Sequence, residues 1–458
     1  MESLDPVLLS RLQFGFTISF HILFPAFTIG LAAWLAVLEL LWWLRDRAIY
    51  GEISRLWTKV FAVSFGMGVV SGIVLSYEFG TNWSGLSERA GSILGPLLSY
   101  EVLTAFFLEA GFIGVMLFGR DRVPRPVHVA SACIVALGTL ISTFWILSAN
   151  SWMQTPQGYA LQDGVFRPVD WTAIVFNPSF PYRFMHMVAA AFLTTAFAVG
   201  GIGAWYLLSG RRADHGRVMV GMAVSIIVWL APLQLILGDM HGLNVREHQP
   251  AKLAAMEGDW RTQRGAPLIL IAWPDMEQEM NHFELAIPRI GSLILTHSWD
   301  GEVTGLKAFE PQDRPPAPIV FWSFRIMVGI GLLMLLVAGL SALLFLRRRL
   351  FDSRWFLRLL VLCSPLGFVA VIAGWVTAEV GRQPWVVYGQ LRTADAVSPV
   401  PGASVLLSLL LFILVYGVIF GAGLYYIAKT IRQGAAGHAP DPEPMAPRRP
   451  MAAADYGD

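Results

Sequence analysis

Six side chains able to ligate a metal or carry a proton stand inside long apolar runs of this 458-residue chain. His21 lies in "FTISFHILFPAF", Glu101 and Glu109 in "SYEVLTAFFLEAGF", and His186 in "FMHMVAAAF". Met327 follows Arg325 in "FWSFRIMVGIG", and Glu379 precedes Arg382 in "TAEVGRQPWVV". Each is ambiguous alone. A lone intramembrane histidine is as often a helix–helix hydrogen bond as a ligand, and methionine packs anywhere as core filler. Glu379 with Arg382 could be an interfacial ion pair, and two glutamates on one helix could serve a proton path or a transporter. Glu101 and Glu109 are separated by about 12 Å of helical rise and roughly 80° of rotation. Pro25, four residues after His21, cannot donate to the His21 carbonyl, which allows a bend beside the imidazole.

The elements that must position these groups are membrane helices. Hydrophobic residues make up 55% of the chain and charged ones only 14%, against about 25% charged in a soluble domain. Mean hydropathy is +0.57. The net charge of +1 gives no polyanion-binding footprint, so nucleic acid is excluded as a partner. Cys133 and Cys363 both lie in apolar runs, which points to neither a disulfide framework nor a thiolate metal site. The first apolar run is too long for a signal-peptide core and no small-residue cleavage site follows it, so it is expected to stay as a spanning helix.

A span needs roughly 20 apolar residues, and nine such segments occur: 15–44, 54–79, 95–118, 127–148, 184–208, 217–240, 320–346, 355–378 and 403–430. The expected fold is all-α, because helices alone satisfy runs of this length in lipid. Basic connections (Arg45 and Arg47; Arg120, Arg122 and Arg125; Arg211, Arg212 and Arg217; Arg347, Arg348, Arg349 and Arg354) alternate with poorly basic ones. The positive-inside rule then puts the C-terminus in the cytoplasm and the N-terminus outside. The chain divides into helices one to six over 1–240, an outer polar loop over 241–319, helices seven to nine over 320–432, and a Pro- and Ala-rich tail over 433–458 that reads as disordered. A loop as long as 241–319 is more often functional than a spacer.

With this topology, His21, Glu101, His186, Met327 and Glu379 all fall in the outer half of the membrane, next to the long loop. Polar groups at that depth are costly and mark function. Two His, a Met and three Glu within these spans suit haem iron better than a hard cation, since His and Met are its common axial ligands.

Several stretches together resemble the large catalytic subunit, subunit I, of cytochrome bd-type quinol oxidases. They are "LSRLQFGFTISFHILFPAFTIG" (9–30), "EFGTNWS" (78–84), "AFFLEAGFIG" (105–114), "WILSANSWMQTP" (145–156), "KLAAMEGDW" (252–260), "FRIMV" (324–328) and "GRQPW" (381–385). The short 241–319 segment resembles the short-loop, cyanide-insensitive branch. The resemblance implies a terminal respiratory oxidase in the bacterial inner membrane, oxidising ubiquinol or menaquinol and reducing dioxygen to water without pumping protons. It implies His186 and Met327 as ligands of a low-spin haem b, with Arg325 beside it. His21 and Glu379 are implied as ligands of a high-spin haem b and of haem d, or a further haem b in its place; which ligand serves which haem stays open. Trp375 and Arg382 are implied to pack near those haems, Glu101 and Glu109 to carry protons, and Lys252 and Glu257 to bind quinol in the outer "Q-loop". A second subunit and a small single-helix subunit are the implied partners, besides membrane lipid. Glu78 departs from the pattern, standing where Gln is expected, with Ser76 where Glu is common. A proton-coupled transporter, and a haem protein for electron transfer or oxygen sensing, are the competing classes.

Overall fold

A computed structural model describes residues 4–434. Among these, nine helices are long and apolar enough to cross a membrane. The tail expected over 433–458 lies outside the described residues from 435 on, and Gln433 still belongs to the last helix.

The first span, Pro6–Arg45, starts where Asp5 accepts a hydrogen bond from the Val7 amide and Pro6 fills the first turn, a position that needs no N–H. It continues through Pro25. The second, Ala48–Thr81, returns antiparallel after a turn in which Asp46 adopts positive φ. The third runs over Ser84–Phe118 and is interrupted by a π turn at Val102–Phe106. The fourth is Arg125–Gln154, the fifth Phe180–Ser209 and the sixth Ala213–His248. The sixth thus extends beyond 240: "HGLNVREH" is polar but contains good helix formers, and the helix stops just before Pro250, as the residue ahead of a proline disfavours helix. The seventh is Ala317–Leu346, the eighth Arg354–Val380 and the ninth Gly402–Gln433.

Lipid tails are as apolar as leucine, so helix association here rests on close packing rather than on burial from water. Small residues permit it. A Cβ added at Gly30 of the first span would lie 2.4 Å from Thr195 Oγ1 of the fifth. Gly201 and Gly367 make equally close approaches between spans five and eight, and Gly203 meets Gly216 of the sixth. The apolar core, including Leu35, Trp57, Phe197, Val220 and Phe356, fills the half of the bundle that bears the basic connections. That end is tied by a buried polar knot: Glu39 accepts from Arg120, Ser54 and His128, and Arg120 stacks on Trp42 with 4.5 Å to the ring centroid.

The opposite end is covered by the segment between spans six and seven. A short helix, Pro250–Glu257, is buried from Ala251 onward. An antiparallel hairpin pairs Leu268–Asp275 with Met280–Ile287 and leans on the seventh span. Two smaller hairpins, Tyr159–Gln162 with Val165–Pro168 and Trp385–Val387 with Leu391–Arg392, add to this cap. The bundle therefore has a dry, close-packed half and a half in which polar side chains are buried beneath a folded cap.

Candidate functional site

Glu379, at the end of the eighth span, is the centre of a buried polar cluster. One of its oxygens accepts from Asn150 Nδ2 and Gln154 Nε2, both at 3.1 Å. The other pairs with Arg382, one turn on. Arg183 of the fifth span lies 3.8 Å from Glu379 and also binds Asn150. Gln154 joins this cluster to the cap: its Oε1 accepts from Lys252 Nζ at 2.6 Å and from Gln249 Nε2 at 3.1 Å. Close approach again depends on glycine, since a Cβ at Gly381 would come within 2.8 Å of Lys252 Cγ.

The charges in this cluster do not balance. Two guanidinium groups and one ammonium face one carboxylate. Burial, reinforced by Arg183, holds the Lys252 pKa well below the usual lysine range, and burial likewise lowers Arg382 despite its carboxylate partner. Even with Lys252 neutral, Arg183 and Arg382 exceed Glu379. Arg183 Nε and Arg382 Nε and Nη1 are buried with no acceptor among the described residues. Guanidinium groups pair best with carboxylates, so the cluster is built to receive a further anion.

The sequence-nominated ligands sit nearby as single side chains, each facing a glycine. His21 bonds through Nδ1 to Ser71 Oγ at 3.0 Å, and a Cβ at Gly72 would stand 3.2 Å from its ring. His186 receives only a long contact from Gln234 at 3.4 Å, with Gly238 beside its ring and the His241 ring 5.6 Å away. The Met327 sulfur fills the notch at Gly374, next to the half-buried Trp375. Among the described residues no three His, Cys, Asp or Glu gather as a bare-metal site. Isolated His and Met donor atoms, a hydroxyl orienting a ring nitrogen, glycine clearances and surplus guanidinium groups together fit haem, whose propionates would supply the anions.

Arg325 donates from Nε to the Ile269 carbonyl at 2.8 Å and from Nη2 to Glu257 at 2.9 Å, and stacks on Phe321. Asp259 is buried two residues further on, with Oδ1 unpartnered. Burial and the neighbouring Glu257 carboxylate raise its pKa to about 7.

The geometry of Glu101 and Glu109 corrects the 80° separation expected from a regular helix. The π turn between them absorbs one residue, so eight residues rotate like seven, roughly 20° short of two full turns. Both carboxylates consequently face the fourth span. Glu101 accepts from Ser142 Oγ at 2.7 Å, and the Glu109 side chain sits against Gly138, one turn away on that helix. Glu109 is buried with Oε1 unpartnered.

Sequence reading missed Arg183, Asn150, Gln154, Gln249 and Asp259. Asn150 and Gln154 lie within "WILSANSWMQTP", and Arg183 stands one turn before His186; those positions were the available signals.

Among the described residues, nine apolar helices, with buried His, Met and Glu side chains and surplus cations in one half of the bundle, define an integral membrane protein whose polar half suits large anionic cofactors. Residues 9–435 match the family described as cytochrome bd terminal oxidase subunit I, and the chain belongs to that family. It is 34% identical to cytochrome bd ubiquinol oxidase subunit 1 of Bacillus subtilis (strain 168), over 94% of this chain and 95% of the relative. It is also 34% identical to cytochrome bd-II ubiquinol oxidase subunit 1 of Escherichia coli (strain K12), covering 94% and 97% of the two chains. The bd oxidase structure from Geobacillus thermodenitrificans superposes with a TM-score of 0.88 at 31% identity, covering 94% of this chain and all of that one.

Proposed function

We propose that this chain is the haem-bearing catalytic subunit of a terminal quinol oxidase, and that the polar half of the bundle is its reaction centre. The chain is a multi-pass protein of the bacterial inner membrane with quinol:oxygen oxidoreductase activity, and it works with a subunit II. The observation that supports the site reading best is the surplus of buried guanidinium groups at Glu379, in a bundle half that also holds the His186 ring, with only a long contact to Gln234, and the Met327 sulfur.

When bound, the haems store electrons singly and supply the iron at which dioxygen is reduced to water. His186 and Met327 hold the low-spin haem b. His21 and Glu379 serve the high-spin haem b and the oxygen-site haem, which is haem d or a further haem b. Arg183 and Arg382 neutralise propionates and fix the Glu379 carboxylate. A small single-helix subunit completes the complex, and the N-terminus faces outside.

Quinol, of the ubiquinol or menaquinol class, meets the chain at Lys252 and Glu257. The Arg325 ion pair orients Glu257, which accepts a proton as electrons leave. Those protons go to the outer phase. Protons for water come from the cytoplasm, with Glu109 handing them toward Glu101 along the face that both acids share against the fourth span. Charge is separated across the membrane without a pump.

The test is direct: reduced-minus-oxidised spectra, pyridine-haemochrome analysis and oxygen uptake with a reduced quinol. Three haems and quinol-dependent uptake are expected, and a chlorin band would identify haem d. A purified complex with no haem refutes the reading.

A further inference from the structure

The buried carboxyl group of Glu78 takes no part in the steps above. Glu78, in the last turn of the second span, is 1% exposed. Its Oε1 accepts from Thr17 Oγ1 at 2.6 Å, and Oε2 has no partner among the described residues. Ser76, two residues earlier, bonds the Gly72 carbonyl on the exposed side, so Glu78 is the group this helix end turns inward.

Thr17 lies one turn from His21, and Ser10, Gln13 and Thr17 form a buried polar stripe leading from the capped end of the first span toward that histidine. Gln13 Oε1 accepts from Ser408 of the ninth span at 2.9 Å. Tyr416, also on the ninth span, packs against Phe16 and Phe20 with ring centroids 5.6 Å from each, which sets it at the height of Thr17. Five buried polar atoms on these elements lack partners among the described residues: Ser10 Oγ, Glu78 Oε2, Asn82 Nδ2, Trp83 Nε1 and Tyr416 OH. Native interiors satisfy nearly all such atoms, and a cluster of exceptions is where water and mobile protons are accommodated. The titratable groups on the surrounding elements are Tyr416 and His21; Asn82 and Trp83 are neutral, and Arg11 is on the exposed side of the first span.

We propose that Glu78 is a redox-linked proton site: its carboxylate binds a proton at Oε2 when an electron reaches the haem held at His21, and releases it when that electron leaves. The inference rests on the reading of His21 as a haem ligand. The electron is supplied by quinol. The proton comes from the aqueous phase at the capped end, is passed along Ser10, Gln13 and Thr17, and returns the same way. One negative charge gained at the haem is matched by one positive charge gained at Glu78, and no net charge crosses the membrane. A buried carboxylate without a cation is costly, so its ionisation tracks the nearest group whose charge changes.

Spectroelectrochemical titration of the intact oxidase complex between pH 6 and pH 9 tests this. In the parent, the midpoint of the His21-held haem is expected to fall toward about 59 mV per pH unit, the value for one proton per electron. In Glu78→Gln the slope of that haem should fall at least by half, and a carboxylic C=O band should vanish from the reduced-minus-oxidised infrared spectrum. An unchanged slope with the band retained overturns the proposal. Should Glu78→Gln fail to assemble, Thr17→Val keeps the carboxyl and removes its donor, moving the proton-coupled range up by about one pH unit; no movement overturns the proposal. If His21→Ala keeps every haem band, the ligand reading fails, and this inference with it.

Discussion

At the residue scale, the side chains divide into ligands, charges that hold cofactor or substrate, and acids tuned by burial. Met327, the proposed haem ligand, has its sulfur in the notch at Gly374. Met327→Leu conserves volume and costs little packing. It should abolish the low-spin haem signal in the reduced spectrum and leave the other two haems. Loss of all three would mean that Met327 matters for assembly instead. Asp259 makes a pH prediction. Its pKa of about 7 in the fold, against an ordinary 3.8, means that the folded state holds its proton where the unfolded chain has lost it. The stabilisation is therefore complete below about pH 4 and is lost as pH rises through about 7, on the order of 4 kcal/mol in all. Asp259→Asn removes that dependence, so the melting temperature of the variant relative to the parent should be higher at pH 8 than at pH 4, with the difference shrinking steadily between them. Parallel melting curves for the two proteins would show that Asp259 is ionised in the fold. Isolated His and Glu in apolar runs were legible because lipid makes such residues conspicuous. Asn150, Gln154 and Asp259 were not, because amides and loop acids are common and acquire meaning only from what they touch.

At the element scale, the π turn at Val102–Phe106 decides what the third span can do. It swings Glu101 and Glu109 onto one flank, opposite positions 138 and 142 of the fourth span. A Cβ at Gly138 would stand 2.7 Å from Glu109 Cγ. Gly138→Leu should therefore displace Glu109 and reduce quinol-driven oxygen uptake by on the order of a hundredfold, with haem content retained. Full activity in that variant would remove Glu109 from the proton path. Hydrophobic periodicity cannot reveal a π turn in so apolar a run, because no polar face exists whose phase would slip. The span boundaries were legible where Pro, Asp or Arg punctuates the chain, as at Pro6 and Arg125. The end of the sixth span was not, because "HGLNVREH" remains helical although polar.

At the scale of the whole molecule, one half is close-packed and apolar and the other buries the polar side chains of the proposed reaction centre. On the proposed topology, with the basic connections cytoplasmic, the packed half faces the cytoplasm and the cap faces outside. Alkaline phosphatase fused within the 249–316 segment should be active, and a fluorescent protein fused at the C-terminus should light up in the cytoplasm. The reverse pattern would invert both the proton source and the side of quinol oxidation. The cap is also tied to the spans at the residues proposed to bind quinol: Lys252 donates to Gln154 of the fourth span, and Arg325 of the seventh donates to Glu257.

The sequence by itself determined the nine helices found among the described residues and the family, and it singled out the polar side chains inside the spans, because a bilayer admits few ways to bury apolar runs and penalises each exception. Only the tertiary structure decided which of those exceptions share a site. It gathered Arg183, Lys252, Arg382 and Glu379 from three segments distant in sequence and left them with surplus positive charge. It also turned Glu78 inward beside Thr17. Charge balance and hydrogen-bond satisfaction are properties of a packed interior, and no linear spacing encodes them.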